Sequence, residues 1–135
     1  MRVIILLFLI IFQLSASEVI WHKSYKDALE SSKQNNKLVF VFITSSECLW
    51  CKRFKKTTLR EAEIVKRMNS EYNSVELTKD VDEYPKKLKA AVLPMYYFLD
   101  SDENIIDYSR GYWDKTDFNF VLDDVQKRLK KQRKK

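Results

Sequence analysis

Glycine is almost missing from this chain of 135 residues: only Gly111 is present, where average usage of roughly 7% would supply about nine. No Gly/Ser linker, internal repeat or low-complexity segment comes before the basic C-terminal tail, so nothing in the sequence divides the chain into several domains. Histidine is equally scarce. His22 stands alone, placed by its surroundings at a surface or strand edge, and with two cysteines it leaves a four-ligand zinc site short of donors. Long apolar runs are lacking too. The longest, Val3 to Phe12, extends to Leu14 if Gln13 is counted, and at a helical rise of ~1.5 Å per residue it reaches roughly 18 Å against a hydrocarbon core of about 30 Å.

That run has a different reading. A basic start at Met1-Arg2, an apolar stretch and the small residues Ser15, Ala16 and Ser17 predict a secretory signal over residues 1–17, cleaved after Ala16 or Ser17, with a retained anchor as the competing reading. The expected domain then covers 18–130, enough for a single core, with a basic tail at 131–135. The absence of a lipoprotein cysteine and of an ER-retention tetrapeptide directs the expectation to a periplasmic or secreted protein.

The formal net charge is +6, but Lys127, Arg128, Lys130, Lys131, Arg133, Lys134 and Lys135 supply it. Once these cations and Arg2 are set aside, the body carries about −2, so it has no basic patch for nucleic acid. The tail is expected to be a solvated helix end whose cations complement the helix dipole.

Both cysteines lie in S-S-E-C-L-W-C-K-R-F, Ser45 to Phe54. A bond between Cys48 and Cys51 would close too short a loop to hold a fold together. The continuous apolar, β-branched and aromatic run Leu38 to Ile43 precedes them and reads as a strand buried on both faces. A helix is expected to begin at the cysteines and run on through Lys52 to Thr57. There the first cysteine meets unpaired backbone N–H groups and the positive end of a helix dipole, which favour the thiolate. The second sits one turn on, at a Cα distance a disulfide can bridge. Lys52 and Arg53 favour the thiolate as well, whereas Glu47 opposes it.

The remaining pattern predicts helix, strand, helix, strand, helix, strand, strand, helix. Ser24 with Asp27 opens the first helix. Thr58 with Glu61 forms a capping box for a helical segment carrying Ile64, Val65 and Met68. Tyr72 to Lys79 is a strand, Asp82 or Glu83, with Pro85 in the first turn, begins a short helix through Lys89, and Met95–Leu99 pairs with 105–110 as a hairpin across Asp100–Asn104. Asp114 caps a final helix with Phe118, Val121, Leu122, Val125 and Leu129 on one face. Val19-Ile20 is a candidate edge strand. The fold class is α/β, a mixed four- to five-stranded sheet with helices on both faces.

With K-L-V-F-V-F-I-T-S-S-E-C-L-W-C-K-R-F-K-K-T-T-L, V-L-P-M-Y-Y-F-L-D-S-D-E-N-I-I and R-G-Y-W-D-K-T-D-F, the chain resembles the thioredoxin superfamily. It resembles in particular the exported members related to the C-terminal domain of the transmembrane disulfide reductase. The resemblance implies a thioredoxin-like fold and a thiol–disulfide oxidoreductase with Cys48 attacking and Cys51 resolving. It implies a cis-proline at Pro94, with Leu93 offering backbone to an extended substrate, and a groove-closing loop at Gly111. Trp50 is either a solvent-facing flank of the motif or a hydrophobic client contact, and Tyr112 and Trp113 either line the same groove or pack in the core. Protein disulfides or dithiols are the implied substrates, with a membrane electron-transfer partner, no cofactor and a monomeric state.

Two departures stand out. Phe42 occupies the position of the family's buried aspartate, and Leu49-Trp50 replaces the usual Gly-Pro. The loop also lacks the histidine of the strongly oxidising exported relatives, which favours a reductase or general exchange protein over a strong oxidant. The alternatives are a Cu(I) carrier built on the two thiolates, or a client-binding module without redox turnover.

Overall fold

The structure, a computed structural model, describes residues 17–135. The expected secretory segment therefore lies, except for Ser17, outside the described residues.

Strand β2 (Leu38–Thr44) is the centre of the molecule, and all seven of its residues are buried. It pairs in parallel with β3 (Tyr72–Thr78) and antiparallel with β4 (Met95–Leu99). The short β1 (Trp21–His22) and the hairpin strand β5 (Ile105–Arg110) complete a five-stranded sheet in the order β1-β3-β2-β4-β5. His22 thus sits on an edge strand, as its surroundings predict, while the edge pairing begins at Trp21 rather than at Val19-Ile20.

The period-two alternation of β2 sends its side chains to two separate cores. On one face Val39, Val41 and Ile43 join Val75, Leu77, Tyr97 and Leu99 beneath α1 (Tyr25–Asn35), which contributes Tyr25 and Ala28. On the other, Phe40 and Phe42 join Tyr96 and Phe98. This second face is covered by α2 (Leu49–Lys56), α3 (Ala62–Glu71) and α4 (Lys115–Arg133), through Cys51, Phe54, Ile64, Val65, Met68, Phe118, Leu122 and Val125. The aromatic rings here meet at close range: Phe54 lies 5.0 Å from both Tyr96 and Phe118, and Phe42 lies 5.6 Å from Tyr96.

The cap readings hold at two helices. Ser24 Oγ accepts the Asp27 N–H at 3.1 Å, and Asp114 Oδ1 accepts the Asp117 N–H at 2.9 Å. Two local expectations are corrected. The Thr58/Glu61 capping box does not form, because the Thr58 hydroxyl donates to the Trp113 carbonyl at 2.6 Å. Thr58–Arg60 is instead a 3₁₀ turn, and Glu61 caps α3 without a side-chain hydrogen bond. The short helix expected at Pro85 is only a turn, closed by the Leu88 N–H on the Pro85 carbonyl, with Leu88 and Ala90 packed into the α1-side core. Among the described residues, no helix is long and apolar enough to cross a membrane.

Candidate active site

Strand β2 ends at Thr44, and four residues later the chain turns into α2, so the cysteines stand at the C-terminal edge of the buried central strand. Cys48 is the N-cap of α2. Its backbone is extended at φ −82°, its carbonyl accepts the Lys52 N–H at 3.2 Å, and its Sγ accepts the Cys51 N–H at 3.1 Å. The two cysteines form a disulfide, with an S–S distance of 2.07 Å and a Cα separation of 5.3 Å.

The two sulfurs are not equivalent. Cys51 is 1% exposed beneath the helix, whereas Cys48 is only partly buried at the rim of the same core. An N–H aimed at sulfur, at the positive end of a helix, stabilises an anion on Cys48 once the bond is reduced. In this geometry the Cys48 sulfur is the more accessible of the pair and Cys51 the shielded one, within bonding distance of it.

The Leu93–Pro94 bond is cis. Pro94 is buried, and Leu93 packs at the edge of both cores, including the cluster that holds Cys48. The Pro94 carbonyl accepts the Gly111 N–H at 2.9 Å, and the Gly111 carbonyl accepts the Tyr96 hydroxyl at 2.6 Å, so the proline loop and the glycine loop are joined. Gly111 adopts φ +83°, in the left-handed region that favours glycine.

Trp50 is 54% exposed and Leu49 76%. The Trp50 ring lies 5.5 Å from that of Tyr112, and the Arg53 guanidinium sits over both, 5.5 Å from the first centroid and 5.6 Å from the second. Tyr112 and Thr57 share a hydroxyl hydrogen bond of 3.2 Å. That bond, together with the nearby Arg53 charge, draws the Tyr112 phenol below its ordinary value. The Trp113 Nε1 donates to Ser109 Oγ at 2.8 Å. Tyr112 and Trp113 both pack against the α2-side core, which is one of the two expectations for them.

Arg53 as a partner of Tyr112 is the feature the sequence did not reveal, because nothing local links residues 59 positions apart. Phe42 is fully buried, so no carboxylate stands at its position. Its register partner on β3 is Glu76, which pairs with Lys55 of α2 at 2.6 Å. Among the described residues, no group of three or more His, Cys, Asp or Glu side chains is arranged to hold a metal ion.

Residues 25–126 match the Thioredoxin-like domain family. The chain belongs to that family. No curated protein matches the sequence of this thioredoxin-like chain. Among solved structures it is similar to a DsbH oxidoreductase, at 22% identity over 87% of this chain and 89% of that one, with a TM-score of 0.67. A thioredoxin from Thermus thermophilus shares 15% identity, covering 82% of this chain and 86% of its own, with a TM-score of 0.67. The oxidised C-terminal domain of DsbD from Neisseria meningitidis shares 17% over 73% and 90%, with a TM-score of 0.60. At these identities the similarity establishes the thioredoxin-like fold, with the close Cys48–Cys51 pair set in it.

Proposed function

We propose that this thioredoxin-like chain is an exported thiol–disulfide oxidoreductase acting on protein substrates. The carrying observation is the asymmetry of the dithiol: a rim cysteine capping α2 and bonded to a cysteine 1% exposed. The Cys48 thiolate attacks a client disulfide, forming a mixed disulfide and releasing one client thiolate. Cys51 then attacks Cys48, restoring the internal disulfide and releasing the second thiolate, so two electrons pass from the dithiol to the client. Trp50, Leu93, Pro94 and Gly111 are assigned to the client groove.

The direction we favour is reduction or general exchange, since the Leu49-Trp50 loop lacks a histidine to stabilise the reduced form. The electrons that regenerate the dithiol are assigned to a membrane partner. The protein acts as a monomer in the periplasm or outside the cell, after removal of residues 1–17, with the domain at 18–130 and the basic tail at 131–135. The test is insulin reduction by the purified protein with dithiothreitol as electron source. Cys48→Ser abolishes turnover, and Cys51→Ser accumulates a mixed disulfide visible by mass. Wild-type turnover in Cys48→Ser overturns the proposal.

A further inference from the structure

Between Ser45 and Arg60 the chain carries the cations Lys52, Arg53, Lys55, Lys56 and Arg60 against the single carboxylate Glu47. Two of those cations are neutralised: Lys55 pairs with Glu76 at 2.6 Å and Arg60 with Glu18 at 3.2 Å. Among the described residues no carboxylate lies within 4.0 Å of Lys52, Arg53 or Lys56, and all three are exposed. Outside this stretch and the tail the body carries about −6, so the positive charge belongs to the cysteine motif and α2 and does not reflect the composition of the domain.

Arg53 matters most among the three. Arg53, Lys55 and Lys56 all stand in the last turn of α2, where cations serve its dipole. Arg53 alone of these also lies over the Trp50 and Tyr112 rings, and Trp50 stands between the two cysteines in the sequence. A guanidinium drawn to the faces of aromatic rings still has N–H groups with which a carboxylate can pair. The exposed Leu49 and Trp50, which follow Cys48 directly, add an apolar surface beside it.

We infer that the Trp50–Arg53–Tyr112 cluster, with Lys52 and Lys56, selects extended client segments whose cystine is flanked by acidic residues. The inference rests on the oxidoreductase reading above and adds a substrate class to it. Glu47 is the one carboxylate of the stretch and opposes this preference. The order of preference is acidic over neutral over basic, and because the charges are exposed it fades as salt screens them.

The experiment uses three disulfide-linked peptides that differ only in the two residues on each side of the cysteine: Asp/Glu, Asn/Gln or Lys. With purified protein and dithiothreitol, kcat/KM for the acidic peptide exceeds that for the basic one by about tenfold at low ionic strength. The ratio falls to about twofold or less in 0.5 M salt. Arg53→Gln, and separately Lys52→Gln/Lys56→Gln, narrow it by about threefold each. Lys26→Gln on α1, which makes the same change in net charge away from the site, leaves the ratio as it was. The charge-only double variant leaves both rings intact, so the test survives if Arg53→Gln perturbs the fold. Equal rates for all three peptides, or a ratio unmoved in both variants, overturn the inference while leaving the oxidoreductase reading in place. If no peptide is reduced, that reading fails and takes the inference with it.

Discussion

Reducing the Cys48–Cys51 bond separates a working dithiol from a structural staple, and the expected effect follows from where the bond sits. Its sequence separation is 3, so the loop it closes contains only four residues. The chain-entropy relation then assigns it about 2 kcal/mol at 25 °C, against about 3 for a loop of fifteen. Part of this returns on reduction, because the Cys51 N–H already points at the Cys48 sulfur. A hydrogen bond to a charged group contributes about 1.5–3 kcal/mol. The α2-side core, with Phe40, Phe42, Phe54, Tyr96, Phe98 and Phe118 all at 0% exposure, keeps its contacts in either redox state. The net loss is therefore about 2 kcal/mol or less, equivalent to a Tm decrease of about 10 °C or less for a domain of this size. Thermal melts followed by circular dichroism, on fully oxidised and fully reduced protein in separate runs, measure it. The Cys48→Ser/Cys51→Ser protein serves as a redox-insensitive control. Unfolding at 25 °C on reduction, or a loss above about 4 kcal/mol, would refute the reasoning and make the bond a staple.

Phe54→Ala removes the ring that seats α2 on Phe42, Tyr96 and Phe118, and costs about 3–5 kcal/mol by urea denaturation, with Phe54→Leu well below that. Asp114→Ala removes the acceptor for the Asp117 N–H and costs about 1 kcal/mol in the same assay, with Asp114→Ser restoring most of it. Burial holds Tyr25, Tyr72 and Tyr96 above the ordinary tyrosine value of 10.0, and at Tyr25 a hydrogen bond to Glu103 adds to it. Above that pH the unfolded chain loses protons that the folded chain retains, so these residues contribute full stability below about pH 10 and lose it as the pH rises further. Urea midpoints at pH 9, 10 and 11 check the sign: they fall between the last two values, and a flat profile would contradict it.

The parts of the fold legible in the sequence are those where a local pattern and the tertiary demand coincide. Leu38–Thr44 reads as a strand buried on both faces because both of its faces do carry cores. Ser24 and Asp114 read as caps because their side chains have no competing partner. Thr58 reads as a cap for the same local reason, yet its hydroxyl bonds to Trp113, 55 residues away, and no local rule reports that partner. Pro85 fits a helix start, but the segment after it is drawn into the α1-side core through Leu88 and Ala90, and the Tyr97 hydroxyl holds the Lys89 carbonyl at 2.6 Å. Those contacts satisfy the backbone without a helix. In the site, the dithiol and the proline are visible because chemistry ties them to fixed residue types. The placement of Arg53 over Trp50 and Tyr112 is invisible because any of the neighbouring cations would satisfy the same local pattern.

The single glycine shows how the rim of the site is fixed from outside the cysteines. A Cβ built on Gly111 would meet nothing within 4 Å, so lack of room does not explain the residue. Its backbone does: the N–H is bound to the Pro94 carbonyl and the C=O to the Tyr96 hydroxyl. A side chain would favour a negative φ, and rotating this peptide there from +83° would turn both groups away from partners on β4 and the loop before it. The chain beyond is held from the opposite side, since Thr58, just after α2, grips the Trp113 carbonyl and Thr57 meets the Tyr112 hydroxyl. Tyr112 is thus caught between two clamps, one on the sheet and one on the helix end, and its ring in turn backs Trp50 and Arg53 beside the disulfide. The surface a client would meet is set by backbone hydrogen bonds many residues from the sulfurs, and this is why a chain so sparing of glycine keeps one here.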